Sequence, residues 1–179
     1  MNKEAGRNSW IKVSSLKHWL VACSLFGLLV SVSHAAPKAT ILEYGYYEFT
    51  GKAERVTNSF SPTGYATHGD AKLVQKTDRI PVQQGRLFGF RFRIDNMNEN
   101  VGVLPLELVV KHPKMDKPDG TSSTGYRYKM ELKVSQGVVE DKTGYRMNEA
   151  YELVEGEWSF EYRFMSRPLL KQKFTTYMP

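Results

Sequence analysis

The sequence predicts an all-β protein, an antiparallel β-sandwich behind an N-terminal signal peptide, and three stretches carry that prediction. Residues 88–94 read Phe-Gly-Phe-Arg-Phe-Arg-Ile, residues 128–134 read Tyr-Lys-Met-Glu-Leu-Lys-Val, and residues 158–164 read Trp-Ser-Phe-Glu-Tyr-Arg-Phe. Each alternates apolar and polar positions, the period of a strand with one buried and one wet face. No segment sustains a 3.6-residue period with caps.

The chain opens with an address. Lys3, Arg7, Lys12 and Lys17 make a positive region, residues 19–32 are apolar, and Ser33-His34-Ala35 is a small-x-small cleavage signal. That is the layout of a secretory signal peptide over residues 1–35, cleaved after Ala35. The apolar run is about 14 residues, short of the roughly 20 a permanent spanning helix needs. Leu20-Val21-Ala22-Cys23 imitates a lipoprotein box, but the strongest apolar run follows the cysteine instead of preceding it. Residues 36–179 are then expected to form one domain, exported to the periplasm or beyond the cell, with no transmembrane segment.

Along that domain, residues 41–49 bring Tyr44, Tyr46, Tyr47 and Phe49 and open it as a strand. Residues 71–77 are a second candidate and 88–94 a third. Residues 104–111 follow, with Pro105 at a strand entry or a sheet edge. After 128–134, residues 147–154 suit a strand better than a single helical turn. Residues 158–164 and 169–176 pair through a turn around Ser166-Arg167-Pro168. Ser61-Pro62-Thr63-Gly64, residues 95–100 and Lys117-Pro118-Asp119-Gly120 supply turn chemistry between the runs. Seven or eight short antiparallel strands favour a sandwich, with a closed barrel as the alternative.

Composition narrows the function classes. Cys23, the single cysteine, lies in the leader, so the domain has neither a disulfide nor a thiol nucleophile. Loss of the leader removes four of 25 basic and one of 19 acidic residues, taking the net charge from +6 to +3. That surplus gives no reason to expect a nucleic-acid partner. His68 and His112 are the two histidines beyond the leader, both expected in surface loops. There is no Gly-x-Ser-x-Gly elbow, no His-x-x-x-His, no Walker motif and no calcium loop. No catalytic, metal or cofactor residue is therefore expected, and the protein is read as a non-enzyme. Arg91 and Arg93 share one strand face; Arg127, Lys129 and Lys133 share another. On neighbouring strands they would form a contact stripe for an anionic surface or an acidic envelope protein, although lysine and arginine also guard ordinary sheet faces. Aromatic residues at inward positions are core formers first, and a carrier of a lipid-like or apolar ligand is the alternative function.

One resemblance rests on particular residues. Gly85-Arg86-Leu87-Phe88-Gly89-Phe90-Arg91-Phe92, the His112-Pro113 pair with Pro118 and Gly120 after it, Glu152-Leu153, Gly156-x-Trp158-x-Phe160, Leu169 or Leu170, and Phe174 resemble a bacterial family, domain of unknown function 3859. The resemblance spans most of the domain. It implies a compact sandwich, often exported, with no assigned activity and no functional residues to carry over. A Gly-x-Trp-x-Phe opening to a terminal hairpin is also common in immunoglobulin-like sandwiches, which makes that the expected type. Trp158, Phe160 and Phe174 are expected to fill the core between this hairpin and the facing sheet.

Overall fold

The computed structural model describes residues 36–179; the expected signal peptide, residues 1–35, lies outside them. Eleven strands run in order: β1 (Lys38–Phe49), β2 (Glu54–Thr57), β3 (Tyr65–His68), β4 (Ala71–Gln75), β5 (Arg79–Pro81), β6 (Leu87–Asp95), β7 (Val103–Asp116), β8 (Ser122–Lys133), β9 (Val139–Arg146), β10 (Gly156–Phe164) and β11 (Arg167–Tyr177). They form a four-stranded sheet, β4-β1-β6-β9, a five-stranded sheet, β5-β11-β10-β7-β8, and a separate β2-β3 hairpin. Two distinct sheets packed face to face make a sandwich, not a barrel.

The three alternating stretches behave as their period dictates. In β6, Phe88, Phe90, Phe92 and Ile94 are fully buried, whereas Arg91 is exposed. In β10, Trp158, Phe160 and Tyr162 are buried opposite them. Across the interface Phe88 meets Trp158 edge to face at 5.1 Å, Phe90 meets Phe160 at 6.1 Å, and Phe92 meets Tyr162 at 4.7 Å. Phe174 of β11 completes the cluster, 5.3 Å from Phe88. Each such ring removed from water stabilises the fold by about 1.5–3 kcal/mol. The expectation for Trp158, Phe160 and Phe174 holds.

Close approach of strands explains one glycine row. Gly45, Gly89 and Gly144 stand side by side on β1, β6 and β9. A Cβ on Gly89 would lie 2.1 Å from the Thr143 carbonyl oxygen, and one on Gly144 would lie 2.4 Å from that of Phe88. Only glycine fits there.

The structure differs from the sequence reading in several places. Residues 147–154 are not a strand. Ala150–Glu152 is a 3-10 turn, because the Glu152 carboxylate turns back to accept the N–H groups of Asn148 and Glu149 and the hydroxyl of Tyr145. Burial of Glu152 raises its carboxyl above the ordinary range, and these donors oppose that. His112 is buried within β7, not in a loop, where the pairing with β8 shifts register between Lys111 and Met115. β5 runs parallel to β11, so the sandwich is antiparallel except for that three-residue pairing. The β2-β3 hairpin, β5 and β9 complete a strand count above the expected seven or eight. They were illegible because charges and turn residues interrupt their alternation. Pro105 sits at the entry of β7, before the stretch that pairs with β10, as its missing N–H requires.

Candidate functional site

The sandwich is closed along one side, where β5 touches both β11 and β1 and buries Ile80. Along the other side, β8 and β9 each have a strand neighbour on one edge only. Cross-strand rows define what meets there. In one sheet Tyr162, Leu108 and Tyr128 stand abreast; in the facing sheet Ile41, Phe92 and Asp141 do. Because Phe92 packs on Tyr162, the ends of the two rows, Asp141 and Tyr128, face each other across the opening. The next rows, Phe160-Val110-Tyr126 and Tyr44-Phe90-Thr143, set Thr143 opposite Tyr126 in the same way. All four side chains are half-buried.

Residues 50–70, between β1 and β4, cover this opening. They fold over the outer face of the first sheet, where Gly69 packs on the Phe49 ring and its carbonyl accepts a 3.1 Å hydrogen bond from Lys142 Nζ. The β2-β3 hairpin then reaches round β9. Phe60 stacks on Tyr128 at 5.6 Å, and the Tyr65 hydroxyl donates a 2.7 Å hydrogen bond to Glu149. Burial and this acceptor push the Tyr65 hydroxyl up to about 12. Beneath the cover lies a cleft of about 770 Å3, running over the outer face of β6 and β9 and into the gap between the sheets.

The lining is both aromatic and polar. Tyr47, Thr67 and Tyr162 border the cleft, and each carries a buried hydroxyl with no hydrogen-bond partner among the described residues. Tyr162 is 1 % exposed, with Thr143 and Asp141 as polar neighbours. Burial holds the hydroxyls of Tyr126, Tyr128 and Tyr162 above the ordinary tyrosine range, so all three stay neutral. Burial also raises the Asp141 carboxyl, opposed only by the Lys142 amide and charge. Sequence patterning missed Asp141 because β9 was not among the expected strands, and Tyr126 because the expected strand began at Tyr128, whereas β8 begins at Ser122. The one available signal was an acid alternating with Thr143 and Tyr145 on a face otherwise apolar.

The residues singled out from sequence are placed elsewhere. Arg91 and Arg93 point outward from β6 in one sheet, while Arg127, Lys129 and Lys133 point outward from β8 in the other. They lie on opposite faces of the sandwich, not in one stripe. Arg91 lies 3.8 Å from Glu43, and Arg93 binds Asp95 at 2.6 Å and Glu140 at 2.9 Å. Lys129 stands opposite Glu107. Arg91 alone of the five borders the cleft. His68 ends β3, exposed, on the cleft rim. His112 forms a pair with Ser123, Oγ to Nε2 at 3.2 Å, while its Nδ1 lies 2.7 Å from the Pro113 carbonyl oxygen. That carbonyl accepts from Nδ1–H, so Nε2 accepts from the serine hydroxyl. Neither residue borders the cleft, and the pair ties β8 to the irregular part of β7.

Fold and cleft together define an immunoglobulin-like β-sandwich with a covered open edge. An immunoglobulin-like protein from Pseudomonas aeruginosa has the same fold, with a TM-score of 0.53 at 24% identity over 81% of this chain and 99% of that one. More distant likenesses are a β-glucosidase from Listeria innocua (TM-score 0.37, 11% identity, 63% of this chain and 17% of that one) and a β-D-glucoside glucohydrolase from Trichoderma reesei (0.36, 13%, 79% and 19%). This chain spans less than a fifth of either enzyme, and their activity has no bearing on it. No curated protein matches the sequence. The chain belongs to the DUF3859 family, a domain of unknown function, whose profile matches residues 26–176. Among the described residues, no helix is long and apolar enough to cross a membrane.

Proposed function

We propose that this protein is an exported, non-enzymatic binding module of the cell envelope, and that its working site is the cleft beneath residues 50–70. The observation that carries this reading is the cleft itself, bordered by Tyr47, Thr67 and Tyr162, whose buried hydroxyls lack a well-formed hydrogen bond among the described residues. A buried hydroxyl without a partner costs about 1–3 kcal/mol, and a ligand that pairs with it recovers that cost. A cavity of this size suits a small molecule or a short segment of a larger one. Its hydroxyls and its carboxylate favour a polar ligand over the lipid-like or apolar cargo of a carrier.

Native mass spectrometry of the protein, purified from envelope fractions without detergent, tests the reading alongside a polar-metabolite thermal-shift panel. A ligand retained or stabilising in wild type and lost in Tyr162→Phe and Tyr128→Ala supports it. Ligands that bind both variants as tightly as wild type, or none from either source on folded protein, overturn it.

A further inference from the structure

Resting on the cleft as the binding site, we infer that the chamber between β8 and β9 binds the primary ammonium group of a small amine, with Asp141 as its countercharge. Asp141 stands at the end of the Ile41-Phe92 row, directed into the gap between the sheets. Among the described residues no cation forms an ion pair with it. Lys142, next in sequence, alternates to the outer face and spends its ammonium on the Gly69 carbonyl. Of the other cationic side chains of the cleft, Arg91 and Arg146 share that outer face by register with Lys142 and Gly144, and Lys52 comes from the covering segment. A half-buried carboxylate whose neighbouring cation, Lys142, points to the other face of the sheet is only weakly compensated, and a cationic ligand relieves it. Burial has already raised the Asp141 carboxyl, the response of an acid that lacks such a partner. A second negative charge, Glu152, lies behind Tyr145 and adds to the field at Tyr126.

The acceptor set selects the kind of cation. Tyr126 and Tyr128 are parallel within 5° and Phe60 is stacked on Tyr128, so these rings offer hydroxyl oxygens more than open faces. The hydroxyls of Tyr162 and Thr143, close neighbours of one another, stand beside Asp141. A primary ammonium carries three donors and can use a carboxylate and two hydroxyls together. A quaternary ammonium carries no donor and needs the aromatic faces that are occupied here. A metal ion is a poor fit, because the phenols stay neutral and no cluster of three His, Cys, Asp or Glu side chains is present among the described residues. Lys52, Arg91 and Lys142 line the outer part of the cleft. They oppose a second cationic head, so a monoamine with a neutral or anionic tail fits better than a polyamine.

Titrations followed by amide NMR at pH 7.5, with ethanolamine, phosphoethanolamine, choline, spermidine and glucose as probes, test this. Ethanolamine or phosphoethanolamine should shift the Asp141 and Tyr128 amides saturably, and choline should bind about tenfold more weakly or worse. A tighter phosphoethanolamine identifies an anionic tail and points to a headgroup-like source; equal binding identifies the free amine. Asp141→Asn should weaken either amine about tenfold or more, and Arg127→Ala, on the opposite outer face, should leave it unchanged. Equal binding to wild type and Asp141→Asn, or no response of the folded protein to either amine, overturns the inference. If glucose alone shifts Tyr128 and Tyr128→Ala abolishes the shift, the ammonium reading falls and the cleft as binding site stands.

Discussion

Phe60 and Tyr128 lie ring on ring, centroids 5.6 Å apart and planes 17° apart, and this contact brings the β2-β3 hairpin across the open side of the sandwich. Phe60 comes from an excursion of the first sheet and Tyr128 from the edge strand of the second. More than half of the Phe60 surface remains exposed. The contact therefore works as a latch on the cleft and contributes little to the core.

Phe60→Ala should release the hairpin and leave the sandwich folded. An aromatic pair contributes about 0.5–1.5 kcal/mol beyond its buried area, so the melting temperature should move by no more than about 5 °C. Trypsin cleavage after Lys52 and Arg55 should accelerate about two- to tenfold, the loss of about 0.5–1.5 kcal/mol against local opening. A cleavage pattern identical to wild type would show that the hairpin is held by other contacts, chiefly the Tyr65–Glu149 hydrogen bond.

Gly144→Ala should be severe. The added methyl would meet the Phe88 carbonyl at 2.4 Å, so β6 and β9 must separate, at about 2–3 kcal/mol or more. Gly51→Ala, with no atom within 4 Å of the new Cβ, should stay within about 0.5 kcal/mol of wild type. Urea denaturation of the two variants compares them directly, and equal midpoints would refute the role of the glycine row.

His112 gives the fold a defined response to acid. Burial against Trp158, ring centroids 5.1 Å apart, depresses its pKa below the ordinary 6.5, with the Pro113 carbonyl opposing. The unfolded chain therefore binds more protons than the folded one between the depressed value and 6.5. Its stabilising contribution is complete above that unfolded value and is lost as pH falls through the folded one. Unfolding midpoints measured downward from pH 7.5 should drop over that window. His112→Gln should flatten that part of the curve and lower stability at pH 7.5 by about 1–3 kcal/mol.

A leader removed after Ala35 predicts Ala36 as the first residue of the exported protein. Intact mass of the protein from a periplasmic extract reads this directly. A mass retaining Cys23 with a lipid attached would place the protein on a membrane anchor instead.

Local pattern was enough wherever apolar residues alternate strictly with small or polar ones along a strand. Residues 88–94 and 158–164 were legible as strands with one core face, because period-two alternation and aromatic bulk mark that face; that they pack on one another was decided by sheet order. Charge pattern was less informative. Arg91 and Arg127 looked alike in the sequence, and only sheet order put them on opposite faces, each beside its own acids or neighbours. His112 was misplaced for a related reason: a register shift absorbs the His112-Pro113 step into β7, and local turn chemistry cannot foresee the partner strand that makes this possible.

The inward or outward direction of each residue on β6, β8 and β10 was a matter of chain order alone, since successive side chains must point to opposite faces. The cleft belongs to another level. Tyr162, Asp141 and the pair Thr67 and Phe60 come from three separate segments, and their meeting depends on which edges the sheets leave unpaired and where the β1-to-β4 excursion folds. Those are long-range contacts, set by packing energy summed over the whole sandwich, and no short window of sequence contains them.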